Sequence, residues 1–452
     1  MKQGKLLFAV VTLFFLFLPS HVSAQTKRTP PVLSLEECLH IGLQQNLKLQ
    51  ASRLAIEKAN YLAKAARADF FPKLRIEGTY RWLDNPVKIE IPEITIHTPM
   101  GPIVSPPATV SEAAKNTGTL TTSLVQPLFT GGALTERYKL ASLDTVKEKN
   151  RYENAKQYLI ESIKFAYYDL VKAYKIHSLA GEYVKQLEAH LKTAKAFLDE
   201  NIIPLNDYLQ SKVTLSNARL NLIKTRNNLK IAQSYLNLLM NRDINLPIQP
   251  ETEFRIVVLP NPLSYYQNLA LHHRPDLKVA TTRVQQAKSA IRLAKSSYFP
   301  HVTLSLNYRD LSDESLEEDS ASILVMANWS IFEWNKRKWE VDAQKARFEQ
   351  ALLVENSLRQ QILHEVKTAY LNVSQSLKRI ATIKDAVEQA KENLRINQLR
   401  YKEQVATSTD VIDAQTLLLK TEINLTVAKI DYLKALSALE KAVGKTLTEE
   451  SP

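Results

Sequence analysis

Cysteine occurs once in this chain, at Cys38, so no intrachain disulfide can staple the fold. Glycine is almost as scarce, with 9 in 452 residues, too few for a catalytic domain built from tight loops. No glycine-rich phosphate loop is present, and His364-Glu365 lacks the second histidine of a zinc-protease motif. His272-His273 stands alone, and Cys38 has no partner motif. Each metal or nucleophile reading therefore misses the second element its chemistry needs, so neither an enzyme nor a cofactor is expected. Beyond the first two dozen residues there is no uninterrupted apolar run of about 18 residues, which excludes a membrane-spanning helix there.

Residues 1–24 read as a secretory signal. Lys2 and Lys5 give the positive start, Leu6 to Leu18 the apolar run, and Val22-Ser-Ala24 the small residues before the cut. The 13-residue apolar run falls short of the ~20 needed to span a bilayer, so removal is expected, leaving an exported chain that starts near Gln25. Gln25 is not cysteine, so no lipid-anchor signal is read. Net charge is +12, or +10 once Lys2 and Lys5 are gone, but acids are interleaved with the bases along the chain. That distribution, together with export, argues against a nucleic-acid partner.

What the chain does contain, it contains twice. Phe129–Asn241 maps onto Phe332–Gly444 by adding 203, with no insertion or deletion. Identical pairs include Lys164/Lys367, Tyr167/Tyr370, Asp207/Asp410 and Leu236/Leu439. An earlier block repeats at a shift of 228, from Asn46-Leu-Lys-Leu through Phe70-Phe-Pro72 to Arg274-Pro-Asp-Leu through Tyr298-Phe-Pro300. Such a tandem unit must be read before any local motif. The division expected is 25–252 and 253–452, each with helix, β-hairpin, very long helix and helix.

Ser34–Asp69 carries Leu35, Leu39, Leu43, Leu47, Leu54 and Leu62 at helical spacing, and Ser34 with Glu37 has capping-box spacing. Pro72 ends that helix. Leu74, Ile76, Tyr80 and Trp82 then alternate with polar residues, as do Val302, Leu304, Leu306 and Tyr308, the pattern of strands wetted on one face. Return strands are expected near Thr119–Leu128 and Ser322–Phe332, which places the strand regions at about 73–128 and 301–332. The first connection, within Leu83–Gly118, has 25 extra residues and is proline-rich; the second is short and acidic. Ala133–Asn201 and Lys336–Gln404 contain no proline, and only Gly181 interrupts the first. Each 69-residue stretch predicts a rod of roughly 100 Å. Returning helices are expected at Asn206–Asn241 and Asp410–Val443, and one returning helix plus one Ser34–Asp69-type helix match the rod in length. The fold class is thus mainly α with a small β part.

Four amphipathic strands cannot sit in lipid alone, because both sheet edges would leave backbone groups unpaired in hydrocarbon. Closure needs several chains, and sequence alone permits 8, 12 or 16 strands; small soluble sheets beside a coiled coil are the less favoured alternative. Trp82, Trp329, Trp334 and Trp339 lie in or just beyond the strands, as an interfacial aromatic girdle would, or as ordinary packing would. Two further function classes stand beside a channel. One is a periplasmic adaptor with coiled-coil hairpins, disfavoured by two hairpins and only four evident strands. The other is an exported enzyme with a helical stalk, for which no site is found.

The duplicated plan, the Phe70-Phe-Pro72 and Tyr298-Phe-Pro300 starts, Gln126-Pro-Leu-Phe-Thr-Gly-Gly132, and Tyr401 through Asp410-Val-Ile-Asp413-Ala-Gln415 to Gly444 resemble the TolC-type outer-membrane efflux protein family. The likeness covers nearly all of the expected mature chain. It implies a homotrimer whose strands close a 12-stranded barrel in outer-membrane lipid, above a long antiparallel α-helical barrel crossing the periplasm. It also implies a passive duct for efflux or type I secretion, partnered by a periplasmic adaptor protein and an inner-membrane transporter. Asp410 and Asp413, three apart, read from spacing as a solvated first turn favoured by the helix dipole, and from the resemblance as an acidic constriction of six carboxylates in a trimer. Tyr401 and Asp207 match positions that hold the mouth closed. Where a representative of the family carries an arginine this chain has Ala406, so the same ionic lock cannot form; Asn201 and Gln404 stand where glycine is usual. Asn201, Ile202, Ile203, Gln404, Val405 and Ala406 form the expected adaptor-contact tip, or simply pack the turns.

Overall fold

A computed structural model describes residues 32–85, 88–112, 114–254, 256, 258–313 and 317–447; the signal segment lies outside them. In chain order the elements are β1 (Val32–Leu33), α1 (Leu35–Gln45), α2 (Leu47–Ala68), β2 (Lys73–Trp82), β3 (Lys88–Ile91), β4 (Ile94–Thr98), β5 (Gly101–Ser105), β6 (Ala108–Glu112) and β7 (Asn116–Phe129). There follow α3 (Ala133–Asp199), α4 (Leu205–Leu239), β8 (Gln249–Pro250), α5 (Leu263–His273), α6 (Pro275–Lys295), a short 3-10 turn (Ser296–Tyr298), β9 (His301–Asp313), β10 (Glu317–Asn328), α7 (Lys336–Lys402) and α8 (Ser408–Val443).

The two rods, α3 and α7, are each 67 residues long, and Gly181 does not break the first. The helix expected over Ser34–Asp69 is instead two helices meeting at Asn46. Ser34 makes the full capping box with Glu37, starting α1. Asn46 then leaves helical geometry and caps α2, its Oδ1 accepting from the Leu49 N–H at 3.1 Å. A short polar side chain able to replace a backbone partner is what permits a second start there. In the later copy Arg274 holds the same place, and Pro275 opens α6 where its missing N–H is harmless.

Both α2 and α4 pack along α3, and both α6 and α8 along α7. The short helices meet end to end: Asn46 Nδ2 donates to the Leu239 carbonyl at the end of α4, and Arg274 Nη1 to the Ala442 carbonyl at the end of α8. Around these junctions lies the main core, centred on Tyr167, Tyr266, Tyr432, Ile163, Leu170 and Leu439. Tyr167 donates to the Leu33 carbonyl and accepts from the Glu251 N–H, tying down the parallel β1–β8 pair.

The principal sheet is antiparallel, in the order β10-β9-β7-β2. These are the four strands expected, and the structure adds to them. The proline-rich connection forms two further ladders, β3 with β6 and β4 with β5, and it continues the β2–β7 hairpin beyond the point where β9 ends. Isoleucine and threonine alternation between the prolines is enough to extend the ribbon.

Candidate functional site

The strand registers sort the sheet into two faces. Leu74, Leu124, Leu306 and Ile323 form one rung across all four strands. The next rung, on the opposite face, is Arg75, Ser123, Asn307 and Ser322, and two residues further on lie Glu77, Thr121, Arg309 and Ser320. Period-two alternation thus gives one mainly apolar and one mainly polar wall, with Asp310 and Asp319 on the first and Val125 and Leu324 on the second. In a single chain the apolar wall is bare: Leu74 is 68% exposed and Ile323 77%. The outer strands β10 and β2 have no neighbour on their far sides among the described residues.

The tryptophans lie at both ends of this sheet and all are exposed. Trp82 closes β2 at the end nearest the extension, whereas Trp329 and Trp334 follow β10 at the helical end and Trp339 lies in the first turn of α7. Ten residues of β2 span roughly 30 Å, the thickness of a hydrocarbon core. Trp334 has φ +48, a conformation bulky residues rarely adopt, yet it is 85% exposed and its ring touches that of Phe332 at 5.2 Å between centroids. It occupies the place held by Gly131 in the first copy, where φ is +60 and an added Cβ would lie 2.5 Å from the Ser296 carbonyl oxygen.

At the far end of the rods, α3 turns into α4 and α7 into α8. Both turns are Schellman closures. Ile202 N–H reaches the Phe197 carbonyl and Val405 N–H the Arg400 carbonyl, with Asn201 at φ +56 and Gln404 at φ +60 in the left-handed position. The glycine geometry survives without glycine. Ile202 and Val405 are exposed at these tips, Ile203 is half-buried, and Ala406 packs inward beside Tyr401.

Asp410 and Asp413 are both exposed on the first turns of α8, opposite the buried Val411, Ile412, Ala414 and Gln415. Asp410 also caps its helix, accepting from the Thr407 N–H at 2.7 Å and the Thr407 hydroxyl at 2.8 Å. Those bonds hold its carboxyl below the usual range, and Arg400 adds to the effect. Tyr401, in contrast, is buried against Leu394, Val411, Phe197 and Leu418. Burial pushes its phenol up, Ser408 opposes that, and the Asp207 carboxylate adds to it.

Sequence reasoning missed three residues here. His190 from α3, Ser211 from α4 and Ser408 from α8 are buried together beside Tyr401 of α7. His190 Nε2 lies 2.7 Å from Ser408 Oγ, which lies 2.8 Å from Ser211 Oγ; the His190 and Tyr401 rings are 5.1 Å apart. The available signal was His190 falling on the stripe Ala180, Val184, Leu187 and Ala194, a polar residue on a core face. Because Ser408 lies beside the seventh residue of α4, the α3–α4 turn projects roughly 9 Å beyond the start of α8.

Among the described residues no group of three or more His, Cys, Asp or Glu side chains is placed to hold a metal, and no helix is long and apolar enough to cross a membrane.

The family model described as outer membrane efflux protein matches residues 39–242 and 267–445. The chain is 24% identical over 308 residues to the toxin and drug export protein A of Aggregatibacter actinomycetemcomitans, covering 64% of each. It is 21% identical over 343 residues to the outer membrane efflux protein BepC of Brucella suis, covering 74% of each. A shorter match, 27% over 182 residues, is to protein CyaE of Bordetella pertussis, covering 39% of this chain and 38% of that one. The chain therefore spans less than two thirds of the CyaE and export protein A sequences. The fold is similar to CusC (TM-score 0.78, 18% identity, 91% of this chain and 92% of that one) and to VceC from Vibrio cholerae (TM-score 0.75, 20% identity, 91% and 96%).

Proposed function

The chain belongs to the outer membrane efflux protein family, a channel protein of the outer membrane reaching into the periplasm and not an enzyme; from that premise we propose that three copies close one passive exit duct. The observation that carries this reading is the sheet. One wall is mainly apolar, the other mainly polar, and both edges are open, so a single copy satisfies neither lipid nor its own backbone. Four strands from each of three chains give a 12-stranded barrel with Arg75, Glu77, Asn307 and Arg309 facing the lumen.

The surface supports assembly as well. Val213, Leu220, Ile223 and Ile231 on α4 and Leu353 and Leu371 on α7 are each more than half exposed. Burying each against another copy is worth about 1.5–3 kcal/mol. The helices then form a hollow cylinder, and its far end, ringed by Asp207, Asp410 and Asp413, is the gate.

In this reading the exposed tips at Asn201–Ile203 and Gln404–Ala406 meet a periplasmic adaptor, and an inner-membrane transporter drives the cargo. Opening is a population shift of the hairpins, biased by partner binding and needing no fuel in this chain. The tryptophans at the two sheet ends sit in the two headgroup layers; Trp334 keeps a strained backbone to do so. The family match favours this reading over the adaptor alternative.

Reconstitution in planar bilayers tests the duct. Discrete, cation-blockable conductance is expected, with weaker block when Asp413→Asn removes one carboxylate ring while leaving the Thr407 cap intact. A purified protein that never conducts would refute the reading.

A further inference from the structure

Four helices each give one buried polar side chain to a single cluster near the gate: His190 from α3, Ser211 from α4, Tyr401 from α7 and Ser408 from α8, none more than 7% exposed. The hydrogens can be ordered. Ser211 Oγ donates to the Asp207 carbonyl at 2.9 Å, which uses its one hydrogen. Ser211 must then accept from Ser408, and Ser408 in turn must accept from His190. The neutral imidazole therefore carries its proton on Nε2, and one directional chain of bonds runs from α3 through α8 to α4. This chain is the buried polar link between the α3–α4 hairpin and the first turn of α8, beside an exposed Thr409–Gln210 contact at 3.4 Å and among small apolar clusters.

We propose that His190, Ser408 and Ser211 form a proton-sensitive latch: the neutral imidazole holds the start of α8 against α3 and α4, and protonating it frees α7 and α8 to part from them. The proposal rests on reading this end as the channel's gate. A second proton would place a full charge in a buried site, where an ion is costly without a counter-charge. The charged and titratable neighbours do not offer one. From α7, the Tyr401 phenol is pushed up by burial and stays neutral. From α4, the Asp207 carboxylate acts on that phenol, and burial is the cause that lowers the imidazole. From α8, Asp410 is turned onto Thr407, and on α3 itself Glu188 pairs with Arg219 at 2.7 Å.

Burial lowers the His190 pKa from its ordinary value. With the latch parted and the ring in water, the value returns to about 6.5. Below that pH the parted form takes up more protons than the latched form, so acid favours parting; above it the latch contributes in full. The parted-to-latched ratio should rise by up to ~10-fold per pH unit across the window from about 6.5 down to the lowered value.

The test compares wild type, His190→Gln and Ser408→Ala trimers in planar bilayers, with the gate side taken from pH 7.5 to pH 5.5. Wild type should open more often in acid. His190→Gln keeps an N–H donor toward Ser408 but cannot be charged, so its acid response should vanish. Ser408→Ala breaks the chain and should open more often already at pH 7.5. The paired Ser211→Cys/Ser408→Cys variant, oxidised, should stay shut at both pH values until reduced. An acid response retained in His190→Gln, or none in a conducting wild type, overturns the latch alone and leaves the duct standing. A wild type that never conducts overturns the duct, and the latch is then decided by spin labels at Asn206→Cys and Glu403→Cys, both exposed positions. Their separation in detergent should lengthen in acid for wild type and stay fixed for His190→Gln. An unchanged wild-type separation overturns the latch.

Discussion

Asn46 and Arg274 hold equivalent places 228 positions apart in the sequence: each begins a helix, and each donates from its side chain to a last-turn carbonyl of the helix stacked against it. One is small and neutral, the other buried and charged. Arg274 also pairs with Asp276 at 2.6 Å and Glu365 at 2.8 Å, linking α6 to α7. Asn46→Ala should cost about 1 kcal/mol, the loss of a cap. Arg274→Ala should cost more, about 3 kcal/mol, because Asp276 and Glu365 lose their partner and the Ala442 carbonyl its donor. Chemical denaturation of the detergent-solubilised protein, comparing the two, checks the order.

Lys164 of α3 and Glu440 of α8 form an ion pair with both side chains largely buried, and Glu440 also accepts from the Leu447 N–H. Removing one partner strands the other. Glu440→Ala should destabilise by about 3–5 kcal/mol, and Lys164→Met with Glu440→Met together by less. Thermal unfolding of the three variants reads the difference.

The duplicated plan, both rods, the returning helices and three of the four strand positions were legible in the sequence because each rests on periodicity or proline placement, both local signals; the last strand, expected over Ser322–Phe332, runs instead over Glu317–Asn328. The break at Asn46 was not, since a capping asparagine inside a leucine-spaced run looks like a surface residue. Neither were the extra ladders in the 83–118 connection, where Pro92, Pro102, Pro106 and Pro107 mask the strand pattern. Asp410 was legible as a charge but not as the cap of Thr407. The His190–Ser408–Ser211 chain joins residues up to 218 apart, and no local pattern pairs them.

Cys38 is fully buried, and desolvation pushes its thiol up to about 12, with Arg242 opposing and Glu37 adding to the rise. Thiolate should be nearly absent at neutral pH, so native protein should resist maleimide for hours and react only when unfolded. Mass spectrometry after labelling with and without denaturant checks this.

Gln404 holds φ +60 at the α7–α8 turn, a conformation that costs an L residue roughly 1 kcal/mol or more. Gln404→Gly should therefore stabilise the tip by several tenths to 1 kcal/mol, and Gln404→Val should destabilise it. Hydrogen exchange at the turn amides reports both.

On the sheet, Leu306 and Asn307 are neighbours facing opposite ways. Leu306→Arg puts a charge on the apolar wall and should cost about 2–4 kcal/mol at mid-membrane. Asn307→Arg should leave assembly intact and change ion selectivity. Heat-resistant oligomer on gels, followed by reversal potentials, separates the two.

The central claim is that one copy is incomplete, and native mass spectrometry of the protein extracted from outer membranes in mild detergent tests it most directly. Three chains in one particle are expected, reduced to monomer by Leu306→Arg. A wild-type protein that leaves the membrane without detergent and flies as a folded single chain would contradict the account.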